Sequence, residues 1–386
     1  MTDPLTDDEF YTATPIEAGS QRGEVLRIRE TVIPQLDSAA QAWQIVYVSS
    51  DSFGELVPAS GIIIVPDTVA YAGTGAILGY CPAFRGLGGR CAPSQLLQDG
   101  TEPEAEYIAT ALDRGWTVVV ADGRGLGITG LGPHTFLAGR TAGQTVLDLT
   151  RAARRLPDLN YDTAPIALWG YADGGRNALW AGEIHHGYAS ELDLRGIAAG
   201  AVAADLGELV AEIDGGPWSG LGLAGLVGLA RGYAHLPMLH VLTTEGHVAV
   251  ANAENLTATD IVVRYREPLG RWCERADPWN DPLWRYVLAR ECCGQQAPQV
   301  PVHLYHGTED SLIPVESARR LFSEYRGLGV DLNWREYRVD HLQAAIDGAG
   351  EAIARLAGYL QRIPPGGARP AGWTAATTKS PATPEP

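Results

Sequence analysis

The stretch Trp169-Gly170-Tyr171-Ala172-Asp173-Gly174-Gly175 constrains this chain more than any other. An apolar run, Ile166 to Trp169, leads into it, and a helical pattern, Arg176 to His186, leads out. A strand that becomes a helix within so few residues needs a tight bend with strained backbone angles at its apex. Glycines at 170 and 174 meet that need, because side chains there would collide with the adjacent strand and helix. The bend also carries a helix N-terminus, with its unpaired N–H groups, to the end of a strand. This is the layout in which G-x-S-x-G presents a nucleophilic serine. Here the central residue is Ala172, whose methyl group can neither attack a carbonyl nor be deprotonated. The pattern therefore predicts the geometry of a nucleophile turn without its chemistry. Asp173 stands one residue out of register for a nucleophile. Its backbone N–H is the useful group, as a donor to an oxyanion.

Short apolar runs alternate with helical patterns on both sides of this turn. Gly61 to Val65, Ala76 to Tyr80, Trp116 to Ala121, Val302 to His306 and Leu332 to Tyr337 read as strands. Glu104 to Arg114, Thr141 to Arg155, Val315 to Arg326 and Leu342 to Leu360 read as helices. Strands this short and apolar, separated by helices, predict an α/β fold with a mostly parallel central sheet flanked by helices on both faces. Residues 204–297 break the alternation with glycine-rich apolar segments, several tryptophans and three cysteines, and read as an inserted helical cap or lid. The expected organisation is an N-terminal arm over 1–20, a core over 21–203 and 298–363 with the cap between, and a Pro/Ala/Thr/Gly-rich disordered tail over 364–386.

In this order of elements the catalytic residues run nucleophile, acid, base along the chain. Val302 to His306 leads into Gly307-Thr308-Glu309-Asp310, so Asp310 stands just past a strand end and is the expected acid, with Glu309 as its competitor. Of the nine histidines only His341 follows Asp310, and it precedes the last helix. A carboxylate bonded to one ring nitrogen fixes the tautomer and leaves the other nitrogen facing the nucleophile position. His303 and His306 read as structural. Glu183 with His185-His186 lacks the HExxH spacing, so no metal site is expected, and no cofactor is called for.

Composition narrows the partners. The 386 residues carry a net charge of -17, which repels phosphate backbones, so nucleic acid is not an expected partner. No apolar run reaches the roughly 18 residues of a transmembrane segment. The opening MTDPLTDDEF has neither a basic nor an apolar leader region, which reads as cytoplasmic, or as secreted if a leader has been removed. Five cysteines do not make a complete disulfide framework.

Taken together these residues resemble the secretory lipase family of actinobacteria and yeasts. Cys91-Ala92-Pro93-Ser94 is similar to its CAPS segment, and Asp122 to Gly127 to its D-Y-x-G-L-G turn. Val146 to Ala153 is similar to the helix before the turn, and Gly170 to Gly175 to G-Y-S-x-G-G with the serine lost. His306 to Asp310 and His341 match the acid and base. The resemblance implies an α/β-hydrolase fold with a helical cap, lipase or esterase chemistry or acyl transfer, and a lipophilic ester as ligand. It also implies a disulfide from Cys91 to Cys273, Cys292 or Cys293, with free thiols the open alternative. The segment Cys81 to Arg90 departs from the family's oxyanion loop, so the second oxyanion donor is sought among Ala83, Phe84 and Arg85. Tyr171, Trp218, Leu221, Leu223 and Leu226 are the expected substrate-binding wall. Two accounts of Ala172 follow. It replaces a native serine to trap a substrate, since the rest of the machinery is present. Alternatively it is native, and Asp310 and His341 serve general acid–base chemistry on, or binding of, a lipophilic natural product.

Overall fold

Among the described residues, β-branched and apolar runs form nine strands: β1 Val25–Thr31, β2 Ala39–Ser50, β3 Leu56–Pro66, β4 Ile77–Cys81, β5 Thr117–Ala121, β6 Ile166–Tyr171, β7 Leu194–Gly200, β8 Val302–Gly307 and β9 Leu332–Tyr337. The computed structural model describes residues 7–67, 75–156, 159 and 161–361. The strands join one sheet in the order β1-β2-β3-β5-β4-β6-β7-β8-β9. The β1-β2, β2-β3 and β3-β5 pairs are antiparallel. Every pair from β5-β4 to β8-β9 is parallel, so the sheet is mostly parallel as expected.

The helices are α1 Asp7–Phe10, α2 Pro93–Gln98, α3 Ala105–Leu112, α4 Gly139–Arg154, α5 Asp173–Tyr188, α6 Leu206–Ile213, α7 Ser219–Gly232, α8 Thr244–Ala253, α9 Ala258–Arg264, α10 Pro282–Arg290, α11 Val315–Gly327 and α12 His341–Leu360. Side chains alternate across each strand, and the sheet therefore builds two cores. Ile62, Ile64 and Leu78 pack with Ile108 and Leu112 of α3 and Leu356 of α12. Ile63, Ile166 and Leu168 pack with Leu147 of α4, Leu179 of α5 and Leu321 of α11. This two-sided cover is the α/β-hydrolase arrangement.

Residues 204–297 hold α6 to α10 and short 3₁₀ turns, with no strand among the described residues. Four of these helices start on a side-chain cap: Asp205, Thr243, Thr257 and Asp281 each accept backbone N–H groups of the first turn. Such caps let short helices form where propensity alone is weak.

Three strands escaped the pattern reading. β1 and β2 lie in the antiparallel part of the sheet, and β1 is an edge strand whose Arg27, Arg29 and Glu30 dilute its apolar signal. β7, LRGIAAG, is mostly small residues of low strand propensity, yet it is buried between β6 and β8. The N-terminal arm is less irregular than expected. Phe10 and Tyr11 are buried against Val46 and Ile128, and Arg27 donates to the carbonyls of Phe10 and Thr12 at 2.7 Å each. The tail over 364–386 lies outside the described residues. All five cysteines are free thiols, which corrects the disulfide that the resemblance implied. The Cys91 Sγ instead lies 3.9 Å from the Leu256 carbonyl of the cap segment, so packing joins the two parts there.

Candidate active site

The turn after β6 has the expected strain. Ala172 sits at φ 53° and ψ −119°, a conformation that non-glycine residues rarely adopt. Two hydrogen bonds pin it: its N–H donates to the Gly200 carbonyl at 2.9 Å, and its carbonyl accepts from Arg176 N at 3.0 Å. Gly174 allows the close approach of the β4 end, since a Cβ there would lie 1.9 Å from the Cys81 carbonyl oxygen. Alanine thus occupies a turn that nothing in its own chemistry requires.

Asp310 and His341, the candidate acid and base, arrive from two chain segments. Asp310 follows β8 with its side chain fully buried. Its Oδ1 accepts from the N–H groups of Leu312 and Ile313 at 2.9 Å each, and its Oδ2 accepts from His341 Nδ1 at 2.6 Å. Burial opposes its charge, but hydrogen bonds from His306 and His341 overcome that cost and hold the carboxyl well below the usual carboxylate range. Because a carboxylate only accepts, Nδ1 carries the ring proton and Nε2 is left as the free base. His341 opens α12, where Asp340 caps the helix by accepting Gln343 N at 2.9 Å. Gly307 lets the two segments meet, since a Cβ there would lie 2.6 Å from the Val339 carbonyl.

Ala172 and His341 face one cavity of about 400 Å³. Its walls come mostly from residues 206–288, with Phe84, Phe136, Leu137, Leu312 and Ile313 completing them, and are almost wholly apolar. Trp218, Leu221 and Leu226 line it as expected. Leu223 does not: the cavity face of α7 runs through Leu221, Gly222, Gly225, Leu226 and Leu229, and residue 223 points off that stripe into the cap core. Tyr171 does not line it either. Strand alternation turns its ring toward Tyr305 and His341, and its hydroxyl donates to the His341 carbonyl at 2.6 Å. It supports the base from behind. Reading α7 alone missed the contributions of Leu206, Leu209, Val210 and Ile213 from α6, and of Trp279 and Trp284. The helical spacing of 206, 209, 210 and 213 was the available signal.

Of the oxyanion candidates, Asp173 is the first residue of α5 and lines the cavity. The Ala83 N–H is already committed to Glu104 Oε2 at 3.3 Å. The Arg85 side chain is ion-paired with Glu102 and Glu104 and borders a second, small chamber instead of the cavity. Phe84 lines the cavity, its ring stacked on Phe136 with centroids 3.8 Å apart.

The Asp173 carboxyl has one oxygen bonded to Asn177 at 3.1 Å and the other buried with no hydrogen-bond partner among the described residues. Burial pushes it up to about 6. A carboxyl raised in the folded state favours the neutral form, so ionisation opposes folding increasingly as pH rises from the ordinary carboxyl range, and fully above about 6. Partial access from the cavity screens the effect to about 1–2 kcal/mol. The Asp173→Asn protein is expected to melt higher than the parent at pH 8. The gain should shrink as pH falls through about 6 and vanish near 4. Thermal midpoints across that range test this, and a gain independent of pH would refute it.

The family model for "Secretory lipase" matches residues 92–365. Lipase A of Arthroderma benhamiae is 26% identical over 93% of this chain and 80% of its own length. A Mycobacterium tuberculosis protein named as a probable inactive lipase is 28% identical over 85% of this chain and 76% of its own. Among solved structures, Candida antarctica lipase A in its closed state superposes with a TM-score of 0.83 at 22% identity, covering 92% of this chain and 86% of that one. The chain belongs to the secretory lipase family, a group of α/β-hydrolases. At the level of that family the chemistry is carboxylic ester hydrolysis.

Proposed function

We propose that this chain binds a lipophilic ester in the cap-covered cavity and stops short of the acyl-enzyme, because position 172 offers no nucleophile. The observation that carries this reading is the pairing of an intact His341–Asp310 couple with a methyl group on the same apolar cavity. With serine at 172, His341 would take its proton, Asp310 would hold the imidazole, and the Asp173 N–H with a loop N–H, Phe84 being the candidate, would steady the oxyanion. Without it, carbonyl addition has no first step, while the wall that would hold an acyl chain is unchanged. The engagement of the Ala83 N–H by Glu104 favours an inherited loss of hydrolysis over a single introduced exchange, because exchanging residue 172 alone would leave the loop donors free. Family membership favours export over the cytoplasmic reading of the N-terminus.

The test uses a long-chain p-nitrophenyl ester. The parent chain is expected to bind it reversibly and return it intact, with no acyl adduct by mass spectrometry. Absence of saturable binding, or steady turnover abolished by His341→Ala, would reject the reading. Placing a charge in the wall should weaken binding: Leu221→Arg is expected to lower affinity for the ester at least about ten-fold, since a guanidinium cannot be solvated there without displacing the chain. An unchanged titration curve would mean that the ligand lies elsewhere.

A further inference from the structure

A second histidine bears on the acid, and we infer that His306 is a positioning residue that clamps Asp310 for His341. His306 lies in β8, four residues before Asp310, and its side chain is fully buried. Its Nε2 is 2.8 Å from the Ile313 carbonyl and 3.4 Å from Asp310 Oδ2. A carbonyl only accepts, so Nε2 carries the proton and donates to the Ile313 carbonyl, with Asp310 Oδ2 beside it at 3.4 Å in a longer, weaker contact. Its Nδ1 is buried and makes no hydrogen bond among the described residues.

The arrangement closes a ring of contacts. The Asp310 Oδ1 is held by the N–H groups of Leu312 and Ile313. The Ile313 carbonyl is held by His306, and the same His306 nitrogen lies beside Oδ2, the oxygen that receives His341 Nδ1. The backbone N–H groups that hold Oδ1 belong to the loop of residues 312 and 313, so the carboxylate is placed only as well as that loop is. The imidazole anchors the loop through the Ile313 carbonyl and stands beside the second oxygen. It stands on β8, a strand paired in parallel on both sides. Sequence reading assigned His306 a structural place in its strand. The i, i+4 spacing to Asp310 across a strand end is what turns its ring onto the carboxylate.

The test has two parts. In the parent chain, proton NMR should show the His341 Nδ1 proton as a downfield, exchange-protected signal. His306→Gln places an amide nitrogen near the former Nε2 and should keep the signal, whereas His306→Leu should broaden or lose it. In the Ala172→Ser background, His306→Leu should lower kcat about ten- to a hundred-fold, the usual effect of removing a supporting partner of an active-site group, with KM unchanged. His306→Gln should recover most of the loss. A retained signal and unchanged kcat in His306→Leu would overturn the proposal. So would equal losses in folded Leu and Gln variants, which would mark a packing role only. If His306→Leu fails to fold, His306→Gln decides: loss of the signal in that variant counts against the clamp, and retention supports it. The kinetic arm rests on the proposed hydrolytic reading and the NMR arm does not. An inactive Ala172→Ser protein with the expected NMR pattern would therefore sink that reading and leave the clamp standing.

Discussion

Ala172→Ser is expected to raise turnover of medium-chain p-nitrophenyl esters about 10³- to 10⁴-fold above the parent chain. Loss of the serine from a working triad costs on the order of 10⁶ in kcat, because the three residues act as a unit. Full recovery is not expected here. One oxyanion donor is worth about 10² to 10³, and the Ala83 N–H is engaged by Glu104. Subtracting that deficit from the serine effect leaves the stated gain. The turn should accept the new side chain easily, since φ 53° and ψ −119° at position 172 are already imposed by its flanking hydrogen bonds. A burst of p-nitrophenol followed by a slower steady rate would show acylation and deacylation as separate steps. A folded serine variant with no gain over the parent would show that the cavity does not present an ester to this turn.

The second large effect concerns stability. Glu291, at the end of α10, is buried and receives three donors: Gly139 N at 2.7 Å, Tyr233 Oη at 2.8 Å and Arg176 Nη2 at 3.1 Å. Arg176 belongs to the helix that follows the nucleophile turn and is fully buried, with Nε and Nη1 lacking partners among the described residues. The pair therefore ties the cap to both α4 and α5. Glu291→Ala leaves a guanidinium buried with only the residue 291 carbonyl as acceptor, and should cost about 3–5 kcal/mol. The double exchange Arg176→Met with Glu291→Leu should be milder, because it removes both charges together and leaves only the neutral Gly139 N–H and Tyr233 hydroxyl without their acceptor. Denaturant midpoints of the two variants make the comparison, and a loss under about 1 kcal/mol in Glu291→Ala would contradict it. The Asp310–His341 bond should survive the double exchange, since its partners belong to the loop after β8 and to the start of α12 and not to residues 204–297.

Much of this was legible before any coordinates. The β6 apolar run and the glycines of the turn were readable because strand period, helix period and turn chemistry are local properties. Asp310 and His341 were readable because chain order and strand-end position filter the candidates severely. The roles of Leu223 and Tyr171 were not. Both lie on elements that reach the cavity or its edge, but which face of α7 or β6 meets the cavity depends on what packs against the other face.

By itself, then, the chain's sequence decided the alternation of elements, the strand-to-helix turn with alanine at its apex, and the choice of Asp310 and His341 as the candidate acid and base. Those depend on spacing along the backbone. The tertiary structure alone decided that α6 and α7 share one apolar cavity, that Glu104 claims the Ala83 N–H, and that His306 joins the acid. Each of these is a contact between residues whose orientation is set by burial on a third element, and no local pattern encodes it.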